Sequence, residues 1–240
     1  MMTNPGKVYL VGAGPGNIEY LTVKAYRILE IAEVLIYDAL VDEELLNIVP
    51  DNCLKFNVGK RGGKPSTSQT EINSLLVEYC LQGKQVIRLK SGDPLIFGRC
   101  ILEIEALKQA RCNFEMIPGI SSALAAPLLA GIPLTDPVLS RCFVVCTAHD
   151  TNELNWQTLS SLETLVILMG GKNLDEIIYQ LRKYQKPEFT PIAIIRWAGT
   201  DCQQIWVGEI SNIIEKTAGL SLSPSVIIVG EVVKLRNFII

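Results

Sequence analysis

Short segments of this chain bring glycine, carboxylate and cation together at spacings suited to holding a polar ligand. Gly12-Ala13-Gly14-Pro15-Gly16 follows an apolar run, and its glycines let backbone approach a ligand closely. With Asp38 at the end of the next apolar run, it outlines a dinucleotide-type loop in which an acidic side chain takes a ribose. Pyrophosphate chemistry is opposed by Asn17 at the third glycine position and by Pro15, which removes a backbone N–H donor. That leaves a loop against an uncharged or zwitterionic cofactor, or a tight structural turn. In Ser91-Gly92-Asp93-Pro94-Leu95-Ile96-Phe97-Gly98-Arg99, Gly92 permits close approach, Asp93 offers a carboxylate to hydroxyls or an amine, and Pro94 stiffens the backbone beyond it. The plainer alternative makes Asp93 a helix cap and Arg99 a solvated cation. Gly59-Lys60-Arg61-Gly62-Gly63-Lys64 sets cations among glycines, either as a solvated face or as a loop that closes over a polyanion.

The elements that must position these segments emerge from apolar periodicity. Residues 7–11, 33–37, 85–89 and 113–117 read as strands, and 22–31, 70–81, 103–110 and 121–129 as helices. Residues 42–49 form a short helix, Thr70 is the expected N-cap of its helix, and 57–69 is a loop. Beyond Pro137, residues 143–146, 164–169, 192–196, 204–207 and 225–229 read as strands, with helices over 174–184 and 210–218. Ahead of Pro137 the alternation predicts α/β architecture with a largely parallel sheet; beyond it the order repeats less cleanly, and two α/β domains are expected. The proline-containing stretch 131–140 is the expected linker, which divides the chain into 1–135 and 136–240.

Bulk properties narrow the function classes. A net charge of −3 offers no global attraction for nucleic acid, so an anionic ligand must be met by local cations. The 7 cysteines are scattered without a CxxC pair, and the single histidine, His149, stands apart from most of them; neither a disulfide framework nor a metal site is expected. The apolar stretch 123–134 is interrupted by Pro127 and Pro133 and is too short to cross a membrane. A strand beginning at residue 7 leaves no room for a signal peptide, so a cytoplasmic protein is expected.

Residues 11–16 (VGAGPG), 59–73 (GKRGGKPSTSQTEIN), 89–99 (LKSGDPLIFGR) and 117–135 (IPGISSALAAPLLAGIPLT) together resemble the tetrapyrrole methylase family. Weaker echoes continue at 147–149, 169–170 and 197–200, so the likeness spans most of the chain. The resemblance implies a homodimer of two-domain subunits with S-adenosyl-L-methionine in the cleft between the domains and S-adenosyl-L-homocysteine as product. It implies C-methylation of the tetrapyrrole uroporphyrinogen III on the way to siroheme or cobalamin. By matched position, Pro15, Ser91, Gly92, Asp93, Ile96, Ser121, Ser122, Met169 and Ala198 would hold the cofactor. Asp38 and Lys60 would take acid–base roles, and Arg99 a substrate-side role. Lys60, Arg61, Lys64 and Arg99 would then form a basic rim for a polycarboxylate substrate.

One departure stands out. The family pattern continues after the arginine with two adjacent acids, whereas this chain has Leu102-Glu103. If the first acid takes part in catalysis, a slow or altered enzyme, or dependence on Glu103 alone, is the consequence. Competing classes are a methyltransferase for a later corrin precursor, an NAD(P)-dependent oxidoreductase built on the glycine turn, and a silent binding module.

Overall fold

The structure, a computed structural model, describes residues 6–59 and 67–240. It divides into compact units Met1–Ser121 and Ser122–Ile240.

In the first unit, β1 (Lys7–Gly12) leads through a 3-10 turn to α1 (Val23–Leu29), which Thr22 caps by accepting from the Ala25 N–H. Then come β2 (Val34–Tyr37), a 3-10 helix over Glu43–Asn47, β3 (Leu54–Asn57), α2 (Gln69–Leu81), β4 (Gln85–Lys90), α3 (Cys100–Gln109) and β5 (Asn113–Ile117). The strands form one five-stranded sheet in the order β3-β2-β4-β1-β5, every neighbour parallel. Side-chain alternation sends Leu35, Ile87 and Leu89 to a face packed by Ala25, Ile28 and Leu29 of α1. It sends Val34, Ile36 and Val86 to the opposite face, against Ile72 and Leu76 of α2 and Leu107 of α3. β1 and β4 are neighbours whose onward connections run to opposite edges and across opposite faces of the sheet. This is the switch point beside which open parallel sheets bind ligands.

In the second unit, α4 (Ser122–Leu129) is followed by β6 (Phe143–Thr147), α5 (Trp156–Ser160), β7 (Thr164–Leu168), α6 (Leu174–Lys183), β8 (Pro191–Arg196), β9 (Gln204–Glu209), α7 (Ile213–Lys216), β10 (Ser225–Val229) and α8 (Arg236–Ile239). Its sheet, ordered β6-β7-β10-β8-β9, is mixed. Only β6 and β7 pair in parallel, because β10 enters between β7 and β8 running against both and β9 turns back on β8. Leu174, Ile177, Ile178 and Leu181 of α6 pack one face, and Ala123 and Ala126 of α4 the other.

Several expectations need correction. The division falls at Ser121/Ser122, ahead of the proline-containing stretch 131–140, because α4 buries its alanines on the second sheet together with Ala130 and Ile132. The N-cap of α2 is Ser68, not Thr70: Ser68 Oγ accepts from the Glu71 N–H while the Glu71 carboxylate accepts from the Ser68 N–H. β3 lies mostly in a stretch to which no element was assigned, and α3 begins at Cys100, three residues early.

Candidate active site

Because β1, β4 and β5 are parallel, their carboxyl ends lie along one edge, and the glycine segments are the turns that leave that edge. The turns interlock through backbone. Gly92 donates to the Gly14 carbonyl at 2.8 Å, and Gly14 donates back to the Gly92 carbonyl at 3.2 Å. Both hold φ near +70° (+74° and +68°), where a side chain is strained. Gly12 and Gly119 are required for proximity instead. A Cβ on Gly119 would stand 2.2 Å from the Gly92 oxygen, and one on Gly12 would stand 2.5 Å from the Gly119 Cα. Asp93 joins the turns: Oδ1 accepts from the Leu95 N–H at 2.9 Å and Oδ2 from the Gly119 N–H at 3.2 Å. It therefore caps its own turn and tethers the next, and does not cap α3, whose N-cap Arg99 makes no capping bond through its side chain. Ser91 Oγ is buried with no hydrogen-bond partner among the described residues. The turns meet through bare backbone in a cradle, and the Ser91 hydroxyl belongs to the same segment as Gly92 and Asp93.

The same geometry removes the dinucleotide alternative. Asn17 Oδ1 accepts from the Glu19 N–H and starts a 3-10 turn over Ile18–Tyr20, so α1 begins only at Val23. The glycine turn does not open directly into a helix N-terminus, which is the group that would hold a pyrophosphate.

Beside the cradle lies a buried charge network. Asp38 continues the Val34–Ile36 face beyond β2, and Arg88 and Lys90 continue the Val86 face of β4. Cys100, Glu103 and Leu107 form the buried face of α3 opposite them. Glu103, fully buried, accepts through Oε1 from Arg88 Nε and from Lys90 Nζ, each at 2.9 Å. Arg88 Nη2 donates to Asp38 Oδ1 at 2.5 Å. Side-chain exposure is 3% for Arg88, 0% for Glu103 and 31% for Asp38, so the network has one open end, at Asp38. Burial alone would depress the Arg88 pKa, but the adjacent carboxylates outweigh it and hold the pKa above its ordinary value. The neighbouring Cys100 thiol is pushed up to about 11, first by burial and then by the Glu103 charge. Asp38 is no helix cap, since Asp42 caps the following 3-10 helix. Arg88, Lys90 and Glu103 were not singled out from the sequence as one group. The available signal was a pair of cations at alternate positions of an otherwise apolar strand, which burial obliges to be paired.

Leu102 is 44% exposed, whereas Glu103 points inward, so the missing first acid leaves the network intact. Ile96 is half-exposed and Arg99 is exposed, at a left-handed φ of +52°. Lys60, Arg61 and Lys64 lie outside the described residues.

In the second unit, β6, β7 and β8 run the same way, so their carboxyl ends share an edge. Met169 leaves β7 and Trp197 leaves β8, both with left-handed backbone at φ +57° and +51°, and the buried Ala198 comes next. Strained non-glycine backbone of this kind concentrates at binding sites. Ser121 ends the first unit and Ser122 opens α4, both partly buried. Among the described residues, the expected ones of the first unit lie in segments that leave strand carboxyl ends, as do Met169 and Ala198 in the second, whereas Ser122 opens α4.

The family model for tetrapyrrole (corrin/porphyrin) methylases matches residues 7–214. This chain belongs to that family. Among methylases of known assignment, the uroporphyrinogen-III C-methyltransferase of Synechococcus elongatus is 53% identical over 97% of this chain and 96% of its own length. A siroheme synthase of Actinobacillus pleuropneumoniae is 44% identical over 97% of this chain, which spans only 48% of that longer protein. The crystal structure of the Thermus thermophilus uroporphyrin-III C-methyltransferase complexed with S-adenosylhomocysteine superposes with a TM-score of 0.83 at 34% identity, covering 96% of this chain and 100% of that one.

Proposed function

We propose that this chain transfers methyl groups from S-adenosylmethionine to carbon atoms of uroporphyrinogen III. Near-full-length identity to a uroporphyrinogen-III C-methyltransferase carries the reading. The bare-backbone cradle and the unpartnered Ser91 hydroxyl fit a zwitterionic nucleoside cofactor. When bound, that cofactor supplies an electrophilic methyl group on a sulfonium. By matched position, Pro15, Ser91, Gly92, Asp93, Ile96, Ser121, Ser122, Met169 and Ala198 would hold it. The protein's contribution is then mostly alignment, because displacement at a methyl group asks for little covalent work. Asp38, open to solvent on one side, accepts the pyrrole N–H groups and takes the proton that the methylated ring sheds. Arg99, together with Lys60, meets the substrate carboxylates.

The substrate reading extends to assembly and place. The active form is a homodimer acting in the cytoplasm, in the branch leading to siroheme or cobalamin. Sedimentation at twice the 26.5 kDa chain mass supports the dimer, and sedimentation at the single-chain mass removes it. Among the described residues no helix is long and apolar enough to cross a membrane. Substrate choice is tested by offering uroporphyrinogen III and later corrin precursors side by side under anaerobic conditions. Preferential methylation of uroporphyrinogen III supports the assignment, and preference for a later precursor overturns it.

A further inference from the structure

We infer that Arg88 is a positioning residue, whose locked guanidinium holds the Asp38 carboxylate in the orientation from which it meets the substrate. The inference rests on the proposed role of Asp38. Arg88 is fixed from every side. Nε donates to Glu103 Oε1 at 2.9 Å, Nη1 to the Ile36 and Leu89 carbonyls at 3.4 and 3.2 Å, and Nη2 to Asp38 Oδ1 at 2.5 Å. A planar fork satisfied at each nitrogen cannot rotate without breaking several hydrogen bonds. Its only partner with solvent access is Asp38, and Asp38 Oδ2 has no partner among the described residues. One carboxylate oxygen is therefore anchored by Arg88.

Charge balance explains why the device needs Glu103. Arg88 and Lys90 are both about 3% exposed and share one fully buried carboxylate. Glu103 offsets one of the two cations, and Asp38 offsets the other from the open end. The titratable groups facing Arg88 are Asp38 beyond β2, Lys90 on β4, and Glu103 and Cys100 on α3; α2 presents Ile72, Leu76 and the Cys80 thiol to this face. A lysine at position 88 would keep the charge but could not reach both carboxylates and both carbonyls at once, so it would leave Asp38 free to turn.

A double-mutant cycle tests this in the full chain. The unaltered protein, Arg88→Lys, Asp38→Asn and the double variant are compared for kcat, for KM toward uroporphyrinogen III, and for S-adenosylhomocysteine affinity by calorimetry. Arg88→Lys lowers kcat by about tenfold or more, a fraction of what a positioned acid–base group supplies, and leaves S-adenosylhomocysteine affinity unchanged. In the Asp38→Asn background the same change costs less than about twofold, because coupled residues do not add. Equal losses in both backgrounds, or full activity in Arg88→Lys, overturn the inference. Should Arg88→Lys fail to fold, Asp38→Glu serves instead: it retains the charge at a partly exposed site but moves the carboxylate beyond the anchored position. Undiminished kcat in Asp38→Glu overturns the inference; a tenfold loss at unchanged thermal midpoint supports it. If the unaltered chain transfers no methyl group, the proposed function itself fails and this inference with it, whereas an active chain with additive losses removes the inference alone.

Discussion

Replacing Glu103 with glutamine would remove one buried charge while preserving shape and one acceptor oxygen. Arg88 Nε and Lys90 Nζ both donate to Oε1, and Oε2 has no hydrogen-bond partner among the described residues. The glutamine carbonyl can therefore take the place of Oε1, with its amide where no bond existed, and the substitution isolates the charge. Among the described residues, two cations about 3% exposed would then be left with Asp38, which is 31% exposed and pairs with Arg88. Removing one partner of a buried pair costs roughly 3–5 kcal/mol, and the retained acceptor places Glu103→Gln near the lower end, at about 3 kcal/mol. That corresponds to an opening constant roughly a hundredfold larger. The loss should be confined to the first unit. Amide hydrogen exchange across β1 and β4 is the assay, since it reports local opening free energies. The 3 tryptophans, Trp156, Trp197 and Trp206, all lie in the second unit, so their fluorescence during urea unfolding supplies the internal control. A loss under about 1 kcal/mol in the first unit would refute the reasoning, because it would mean that Glu103 does not compensate buried cations.

The remaining predictions concern the cradle, the thiols and a surface cluster. Gly119→Ala puts a Cβ 2.2 Å from the Gly92 oxygen, so the turns must part, and S-adenosylhomocysteine affinity measured by calorimetry should fall at least tenfold; unchanged affinity would separate the cradle from the cofactor. Among the cysteines only Cys142 and Cys202 are exposed, while burial raises Cys100 and Cys146 to about 11 and Cys80 to about 12. A thiol reagent at pH 8 should label Cys142 and Cys202 in the folded chain and spare the other five; peptide mapping of a modified Cys100 would contradict the burial. Glu115, paired with Lys24 and Lys7, is held below its ordinary value of 4.5 chiefly by the Lys24 ammonium. Its contribution is complete above that value and is lost as pH falls through the lowered one. Glu115→Gln should thus cost at most about 1 kcal/mol at pH 7 and progressively less below pH 4.5 in urea titrations; an equal cost at every pH would exclude the ion pairs as its source.

The legible and illegible parts of this fold have different physical origins. β1, β2 and β4 show as apolar runs because inner parallel strands are buried on both faces. β3 escapes because Leu54-Lys55-Phe56-Asn57 is a short edge strand, largely solvated, with no apolar run to betray it. The cap of α2 was present in the sequence as Ser68 and Glu71, three residues apart, but Thr70 competes until the reciprocal hydrogen bonds are seen. The glycine turns were readable as candidate sites, yet their convergence depends on β4 lying between β2 and β1, a non-local insertion that no periodicity announces. The same insertion hides the charge network: strand alternation puts Arg88 with Lys90 and Ile36 with Asp38, but only the register of Ile36 with Arg88 brings the two sets together. In the second unit the insertion of antiparallel β10 between β7 and β8 makes the sheet mixed, although β10 in isolation reads like any buried strand. Substrate identity came from motif resemblance, since the basic segment around Lys60 that singles it out has no chemistry specific to one polyanion.

The most direct test of the account is an anaerobic incubation of the purified chain with uroporphyrinogen III and methyl-labelled S-adenosylmethionine, followed by mass and absorbance of the tetrapyrrole. The account predicts a tetrapyrrole carrying labelled methyl on ring carbon, with S-adenosylhomocysteine released in step and the rate sharply reduced in Asp38→Asn. An unlabelled tetrapyrrole, from protein that binds S-adenosylhomocysteine normally, would contradict it.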